Sequence, residues 1–546
     1  MSRVPTFLQS LGQIPRTLAV INVVCAIWLA VLANTSFMGM IAALTPYQDW
    51  RFPTFLFATG VLLAAYINLF LTWITWGRFA RPVLTFILLA SALTAYFVDT
   101  YGTGIDVGMI QNMMETDIHE SLDLISWGML GYVLVIAGIP LVWLWSKPLA
   151  PERFLPRQRN RLLASVGSLL LVGIVAACFY ADLASIFREH RDIRLSIVPH
   201  NYVTGMRAYF KSQQITVQIP LQKYGEDAHR TAHTGKPKLL VFVVGETARA
   251  ESFGLQGYAR NTTPELAKLP ITYYSQVSSC GSATAVSLPC LFSGFTRKDY
   301  DAEAAKHREG LLDILQRGGY AVSWLDNNSG CKGACDRVQK VPLLESRKAS
   351  WCVNGECQDG LLLESFARYL ADAPLQDRVI VLHQAGSHGP AYYRRYPKAF
   401  ERFTPTCNSN ALQSCTQQQV INTYDNTIVY TDHIVAAMIN TLAQDARYSS
   451  ALLYVSDHGE STGEHGLYLH GAPYVFAPSQ QTHVPMLSWL STDFATREPE
   501  RAACLRKRHA DELSHDNIFH SVLGLTGVQT SVHDAALDMS AGCSGH

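Results

Sequence analysis

Neither sign of charge is in excess, since 44 Lys and Arg are matched by 44 Asp and Glu for a formal net charge of +0. Without a basic surplus the chain has no electrostatic footprint for nucleic acid, and that partner class is excluded. Charged residues of any kind are scarce at 16%, hydrophobic ones reach 48%, and a mean hydropathy of +0.08 is high for a chain of 546 residues in water. The length exceeds what one ordinary core serves, so two or more domains are expected. Two local absences say more. After Tyr180 there is no apolar run long enough to cross a bilayer. From Asp99 to Asp123 there is no Lys or Arg, although Asp99, Asp106, Glu115, Asp117, Glu120 and Asp123 all fall there.

What precedes Tyr180 is five apolar runs, around Leu18 to Met38, Phe55 to Trp76, Val83 to Val98, Ile125 to Trp145 and Leu162 to Tyr180. Each approaches the ~20 residues of a helical span. Arg3 and Arg16 precede the first, Arg78 and Arg81 separate the second from the third, and Lys147, Arg153, Arg157, Arg159 and Arg161 separate the fourth from the fifth. These basic connections are cytoplasmic by the positive-inside rule, and the cation-free loop faces outward. An odd number of spans also places everything after Tyr180 outside. The expected division is a transmembrane domain over residues 1–181 with an outward loop, linker helices over 182–235 and an exported domain over 236–546.

Cysteine usage agrees with this topology. Cys25 and Cys178 lie in apolar spans and read as inert core thiols. The others fall into close pairs in the exported part: Cys280 with Cys290, Cys331 with Cys335, Cys352 with Cys357, Cys407 with Cys415, and by remainder Cys504 with Cys543. Zinc knuckles share such spacings in the cytosol, but outside the membrane they read as disulfides paired by proximity.

From Lys238 short apolar runs alternate with longer mixed segments. Leu239 to Val244, Ala321 to Trp324, Val379 to Leu382 and Ala451 to Val455 suit strands buried on both faces of a parallel sheet, with helices such as Glu309 to Arg317 and Asn422 to Leu442 between them. The fold class is an α-helical five-span membrane domain joined to an α/β domain. Glu246 follows the first run, Asp326 the second, His383 and His388 the third, and Asp457 with His458 the fourth. Open α/β sheets bind ligands at the carboxyl ends of their strands, and several Asp, Glu and His residues at equivalent ends point to a metal. Glu246, Asp457 and His458 offer oxygen and nitrogen donors, which suit zinc, then manganese, and magnesium least. A hydroxyl beside that metal would be a nucleophile. The stretch SCGSATAVSLPC, Ser279 to Cys290, brackets three candidates, Ser282, Thr284 and Ser287, between two cysteines.

Several stretches carry a resemblance: GETARAESFGLQGYARNTTP (Gly245 to Pro264), SCGSATAVSLPC, NNSGCKGACDRV (Asn327 to Val338), HQAGSHGPAYYRRYP (His383 to Pro397), NTYDNTIVYTD (Asn422 to Asp432), SDHGESTGEHGLYLHG (Ser456 to Gly471) and SHDN (Ser514 to Asn517). Together they closely resemble the lipid A phosphoethanolamine transferases, including the mobile colistin-resistance enzymes. The resemblance spans the chain and implies a periplasmic domain of alkaline phosphatase/sulfatase type on a bacterial inner-membrane anchor. It implies a zinc site of Glu246, Thr284, Asp457 and His458 with Thr284 as nucleophile. It further implies a substrate site lined by Asn112, Thr116, Glu120, Asn328, Ser329, Lys332, His388 and His470, with Lys332, His388 and His470 also catalytic. A second zinc near His388 and His470 is an open variant, and His465 matches no functional position. The implied partners are phosphatidylethanolamine as donor, lipid A as acceptor and membrane lipids, with the chain a monomer. On spacing alone, Asn112, Thr116 and Glu120 would form one stripe of a helix from Met109 to Leu122, a pattern that an amphipathic helix lying on the membrane shares. A membrane-anchored phosphatase or sulfatase, or a glycerol-phosphate transferase, would share much of this machinery.

Overall fold

The computed structural model describes residues 17–45, 47–115, 124–146, 148–150, 152–216, 220–230, 235–353, 356–475 and 477–543. They form two compact units, Met1–Asp106 with Ser126–Met206, and Val107–Ile125 with Arg207–His546.

Within the first unit, the helices Arg51–Ile74, Gly77–Tyr101, Trp127–Trp145 and Phe154–Tyr180 are long and apolar enough to cross a bilayer. The first expected span is instead a pair, Leu18–Leu32 and Thr35–Leu44, bent by 58°. Counted as one span, the pair brings the total to the expected five among the described residues. The bend falls at Asn34, whose buried amide donates to Leu29 O and Val198 O at 2.9 Å each and accepts from Val198 N at 2.9 Å. Every polar group of that side chain is thereby satisfied where water is scarce. Phe57, Phe86, Leu134, Val142 and Leu155 point outward with more than half of their surface exposed, as a lipid-facing wall does. Arg161 stacks on Trp76 at 3.6 Å and donates to Thr75 O at the end of Arg51–Ile74, so one basic residue of the fourth connection ties down a helix terminus. Cys25 is buried, but Cys178 is exposed on its helix, which corrects the reading of both as core thiols.

The second unit is built on a seven-stranded sheet. Its strands are β1 (Lys238–Gly245), β2 (Ile271–Tyr274), β3 (Ala321–Asp326), β4 (Gln339–Val341), β5 (Arg378–His383), β6 (Ser449–Ser456) and β7 (Met486–Leu490). The spatial order is β2-β7-β6-β1-β5-β3-β4. The five strands from β6 to β4 are parallel, and β7 and β2 extend one edge antiparallel. Along β1, Leu240, Phe242 and Val244 enter one core while Leu239, Val241 and Val243 enter the other. Period-two alternation with both faces covered is why the strand reads as an unbroken apolar run. Each such side chain contributes about 1.5–3 kcal/mol by leaving water.

Four helices of this unit matter for the site or its support: α1 (Val107–Glu115), α2 (Thr284–Ser293), α3 (Gly360–Asp372) and α4 (Gln417–Gln444). Helix α4 begins five residues before the expected Asn422 because Thr416 and Gln419 form a capping box, with Gln419 N donating to Thr416 Oγ1 at 3.3 Å and Thr416 N to Gln419 Oε1 at 2.9 Å. The helix expected from Glu309 starts at Leu311. All five cysteine pairs are disulfides with the expected partners.

Candidate active site

Strands β1 and β6 are parallel neighbours in a register that sets Gly245 opposite Ser456. The residues that follow them therefore emerge side by side, and Asp457 N donates to Gly245 O at 2.9 Å across the sheet end. Glu246, Asp457 and His458 come together there, completely buried, with one donor atom from each within 4.8 Å of the others. Close approach is possible because neighbouring positions lack a side chain. A Cβ on Gly386, whose φ is +52°, would lie 2.5 Å from Glu246 O. Thr247 turns the chain at φ 58°, a strained value for a β-branched residue, and its hydroxyl donates to Glu246 Oε1 at 2.6 Å.

Thr284 is the first residue of α2, and its Oγ1 lies 3.2 Å from each Glu246 carboxylate oxygen and 3.1 Å from His458 Nε2. The other two hydroxyls of the loop are spent elsewhere: Ser282 donates to Ala472 O and Ser287 to Asp457 O. Only Thr284 of the three faces the cluster. The Cys280–Cys290 bridge closes the loop onto its own helix, and His515 holds it from behind. His515 Nδ1 accepts from Cys280 N at 3.2 Å while Nε2 reaches Ser456 O at 3.0 Å, a pattern that needs the neutral ring. Burial supplies it, lowering His515 to about 4.

The donor chemistry of the cluster suits a cation. His458 Nδ1 lies 2.9 Å from Gly459 O, which directs the proton there and leaves the Nε2 lone pair aimed at the cluster. Asp457 Oδ1 accepts from the N–H groups of Thr247 and His458 at 3.2 and 2.7 Å, whereas the buried Oδ2 has no hydrogen-bond partner. An orphaned carboxylate oxygen, an imidazole lone pair and a second carboxylate converging in a dry site form a ligand set in want of positive charge. Without it the protein borrows a proton. Burial opposes charge on His458, but Asp457 and Glu246 raise its pKa to about 10. Burial and the Glu246 charge push Asp457 up to about 7, and Glu246 is held well below its usual value against burial by His458, His388 and His383.

Of the other expected residues, Asn328, His388 and His470 border this cluster. Asn328 Nδ2 donates to Glu246 Oε2 at 2.7 Å, and Asn328 and His388 line one cavity of about 220 Å³. Ser329 follows on the same loop, and its carbonyl accepts from Lys332 Nζ at 3.2 Å; Lys332 is held at φ 48° inside the Cys331–Cys335 ring. The His470 ring packs at a tilt beside His458 and His388, with centroids 4.3 and 5.4 Å away. Asn112 is half-buried on α1, which packs against α2, while Thr116 and Glu120 lie outside the described residues, as does the rest of the expected helix to Leu122 beyond Glu115. His465 falls in a short 3-10 turn, Glu464–Gly466.

Glu460 was not among the expected residues. It is fully buried, accepts the Tyr392 hydroxyl at Oε1 and meets His470 Nδ1 with Oε2 at 2.8 Å. Burial raises Glu460 to about 8 and lowers His470 to about 3. Its one sequence signal is proximity, two residues after His458 in SDHGE.

Residues 63–214 match the family described as Phosphoethanolamine transferase EptA/EptB, and residues 238–528 match the family described as Sulfatase. Phosphoethanolamine transferase EptA of Salmonella typhimurium is 42% identical over 94% of this chain and 95% of its own. Phosphatidylethanolamine transferase Mcr-2 of Escherichia coli is 36% identical, over 92% and 94%. The structure of the integral membrane protein lipooligosaccharide phosphoethanolamine transferase A from Neisseria meningitidis superposes with a TM-score of 0.92 at 35% identity, covering 95% of this chain and 98% of that one.

Proposed function

Because the chain belongs to the phosphoethanolamine transferase family, we propose that it moves phosphoethanolamine from phosphatidylethanolamine to a phosphate of lipid A, with Thr284 as covalent carrier. It is an inner-membrane enzyme whose catalytic domain stands in the periplasm. The domains in this reading are the membrane anchor with its outward loop (1–181), the linker helices (182–235) and the catalytic part (236–546), acting as a monomer. The observation that carries the proposal is the hydroxyl of Thr284, alone among three in its loop, placed within 3.2 Å of Glu246 and His458.

Glu246, Asp457, His458 and Thr284 would hold one zinc ion, the orphaned Asp457 Oδ2 and the His458 Nε2 lone pair being the fitting donors. Bound there, the cation supplies the positive charge that favours an ionised threonine oxygen and offsets charge at the reacting phosphate. The Thr284 oxygen attacks the phosphorus of the donor. A phosphorus–oxygen bond to threonine forms, the one to diacylglycerol breaks, and the leaving oxygen takes a proton from His388 or His470. In the second half, the same histidine removes any proton on the incoming lipid A phosphate, whose oxygen displaces Thr284. Position N1 of the ten-residue α2 sets the phosphorylated side chain at the positive end of a helix dipole, which favours the anionic adduct. Lys332 would neutralise a non-bridging oxygen, Asn328 and Ser329 would orient the head group, and Asn112, Thr116 and Glu120 would hold it from the outward loop. A second zinc at His388 and His470 would change the proton carrier without changing the bonds made. The product carries an added ammonium beside a masked phosphate, and a surface less negative binds cationic polymyxins less well.

Incubation of the purified protein with head-group-labelled phosphatidylethanolamine tests this. Wild type should carry label on Thr284 and pass it to lipid A, whereas Thr284→Ala should do neither; undiminished transfer by the variant would remove Thr284 from the nucleophile's place. Glu246→Ala should lose the bound metal measured by inductively coupled plasma mass spectrometry, and full occupancy would exclude it as a ligand.

A further inference from the structure

Asp326 and His383 each end a strand beside the metal cluster, yet neither has a part in the transfer steps. The register of the sheet sets Asp326 opposite His383, and His383 opposite Val244, two residues before Glu246. Three neighbouring strand ends therefore bring a carboxylate, an imidazole and the Glu246 carboxylate into one row. His383 is fully buried, with its ring edge-on to Trp324 at 5.7 Å, while the Asp326 side chain keeps 24% of its surface exposed.

The two reach Glu246 through Asn328. Its Nδ2 donates to Glu246 Oε2 at 2.7 Å and to Gln384 O at 2.9 Å, and His383 Nε2 stands 3.3 Å from the same nitrogen. A carboxylate and a carbonyl only accept, so the N–H₂ end of the amide faces them, and a ring nitrogen beside that end fits only as a lone pair. His383 then carries its proton on Nδ1, where Asp326 Oδ2 accepts it at 3.4 Å. Asp326 Oδ1 accepts from Asn328 N at 2.8 Å, so one carboxylate holds Asn328 by its backbone directly and by its side chain through the imidazole. Trp324 Nε1 donates to Asp326 Oδ2 at 2.7 Å and fixes that carboxylate in turn.

This arrangement decides which end of the amide Glu246 meets. Were the amide turned over, its oxygen would face both the Glu246 carboxylate and the His383 lone pair, and both would repel it. Held as it is, Asn328 occupies Oε2 while the Thr247 hydroxyl occupies Oε1, so the plane of the Glu246 carboxylate is set from both sides. Ser329 N donates to Asn328 Oδ1 at 2.7 Å, so the same lock also fixes the residue that follows. We propose that Asp326 and His383 are positioning residues for the metal: they keep the N–H₂ end of Asn328 on Glu246 and thereby set the carboxylate that the cation meets. The inference rests on the zinc reading above.

The test measures the zinc dissociation constant of the full-length protein by competition with a chelator of known affinity. His383→Leu removes both ring nitrogens, His383→Gln still offers Asn328 an acceptor, and Asp326→Asn replaces an acceptor oxygen by an N–H₂ group. In the leucine and asparagine variants the constant should rise about 10–100-fold, and in the glutamine variant it should stay within about threefold of wild type. Residues acting as one unit are not additive, so the double variant His383→Leu with Asp326→Asn should bind zinc within about twofold of His383→Leu alone. At saturating zinc each should recover most of the wild-type kcat. Should His383→Leu fail to fold, Asp326→Asn at a partly exposed position carries the comparison with His383→Gln. Wild-type zinc affinity in a folded His383→Leu or Asp326→Asn protein overturns the assignment, and so does a double variant weakened by the product of the single effects. A wild-type protein that takes up no zinc would instead strike the metal reading itself, and shows this without any variant.

Discussion

The proton economy of the site turns on Glu460. Its two carboxylate oxygens are divided between the Tyr392 hydroxyl and His470 Nδ1, so it fixes the His470 ring and leaves Nε2 as the nitrogen for chemistry. Burial raises Glu460 to about 8 and depresses His470 to about 3, so at neutral pH the proton between them rests on the Glu460 carboxyl, which can hand it to Nδ1 as Nε2 releases its own without leaving net charge in a dry site. Glu460→Gln keeps both contacts but cannot change protonation state, and Glu460→Ala removes them. The expected result is a fall in kcat on the order of 10–100-fold for the alanine variant and a smaller one for glutamine. The pH–rate profile should change shape only where proton exchange is lost, a signature that a purely structural role would not produce. Steady-state kinetics from pH 5 to 9 checks it. The cluster of Glu246, Asp457 and His458 was visible in the sequence because strand ends collect acidic and imidazole side chains in register. It could not separate Thr284 from Ser282 and Ser287, since that choice depends on which hydroxyls are consumed by the carbonyls of Ala472 and Asp457, residues 170 or more positions away in the chain.

Helix α4 supports the site from a distance. Tyr424 accepts from Arg249 N and donates to Thr247 O, clamping the strained turn after Glu246. A little over two turns further on, Asp432 receives the N–H groups of Leu266 and Glu265 at 2.9 Å each. Burial raises Asp432 to about 6 in spite of these bonds. Between pH 4 and 6 the folded protein retains a proton that the unfolded chain has released. Asp432 therefore costs stability increasingly as pH rises through that interval, reaching roughly 3 kcal/mol above pH 6. Asp432→Asn should lose this slope. In thermal melts at pH 4 and pH 7, the variant's melting temperature should rise relative to wild type as pH increases, and a pH-independent difference would refute the account; metal release at low pH affects both proteins and cancels. Four of the five parallel strands were legible because burial on both faces makes their runs continuous. Strands β2 and β4 were not, because ITYY is half-buried and QKV is mostly exposed, so neither is marked by an apolar run. The bend at Asn34 was hidden because the apolar run resumes after only three polar residues, Asn34, Thr35 and Ser36, too few to end a span by hydropathy.

At the scale of the whole molecule, the chain pairs an apolar helical unit with a unit that contains Glu246, Thr284, Asp457 and His458, and the short segment Val107–Ile125 belongs to the second although it is flanked in sequence by the first. A piece beginning at Arg207 therefore retains the sheet, the disulfides and the Glu246, Asp457 and His458 cluster but loses α1, which packs on α2, the helix that begins at Thr284. Metal content should survive that excision, since Glu246, Thr284, Asp457 and His458 all remain. Lipid chemistry should not survive equally well. The anchor holds the enzyme in the same membrane as both substrates, and converting such an encounter into a local one is worth about 10²–10⁴ in effective concentration. Residues 207–546, added to vesicles at the same bulk concentration as the full-length protein, should bind one equivalent of the same metal yet transfer phosphoethanolamine roughly 100-fold more slowly or worse. Tethering the piece to vesicles through an added lipid anchor separates the two losses. Rescue to near the full rate would assign the defect to concentration alone, whereas a residual deficit after tethering would measure what α1 and the outward loop contribute to the site.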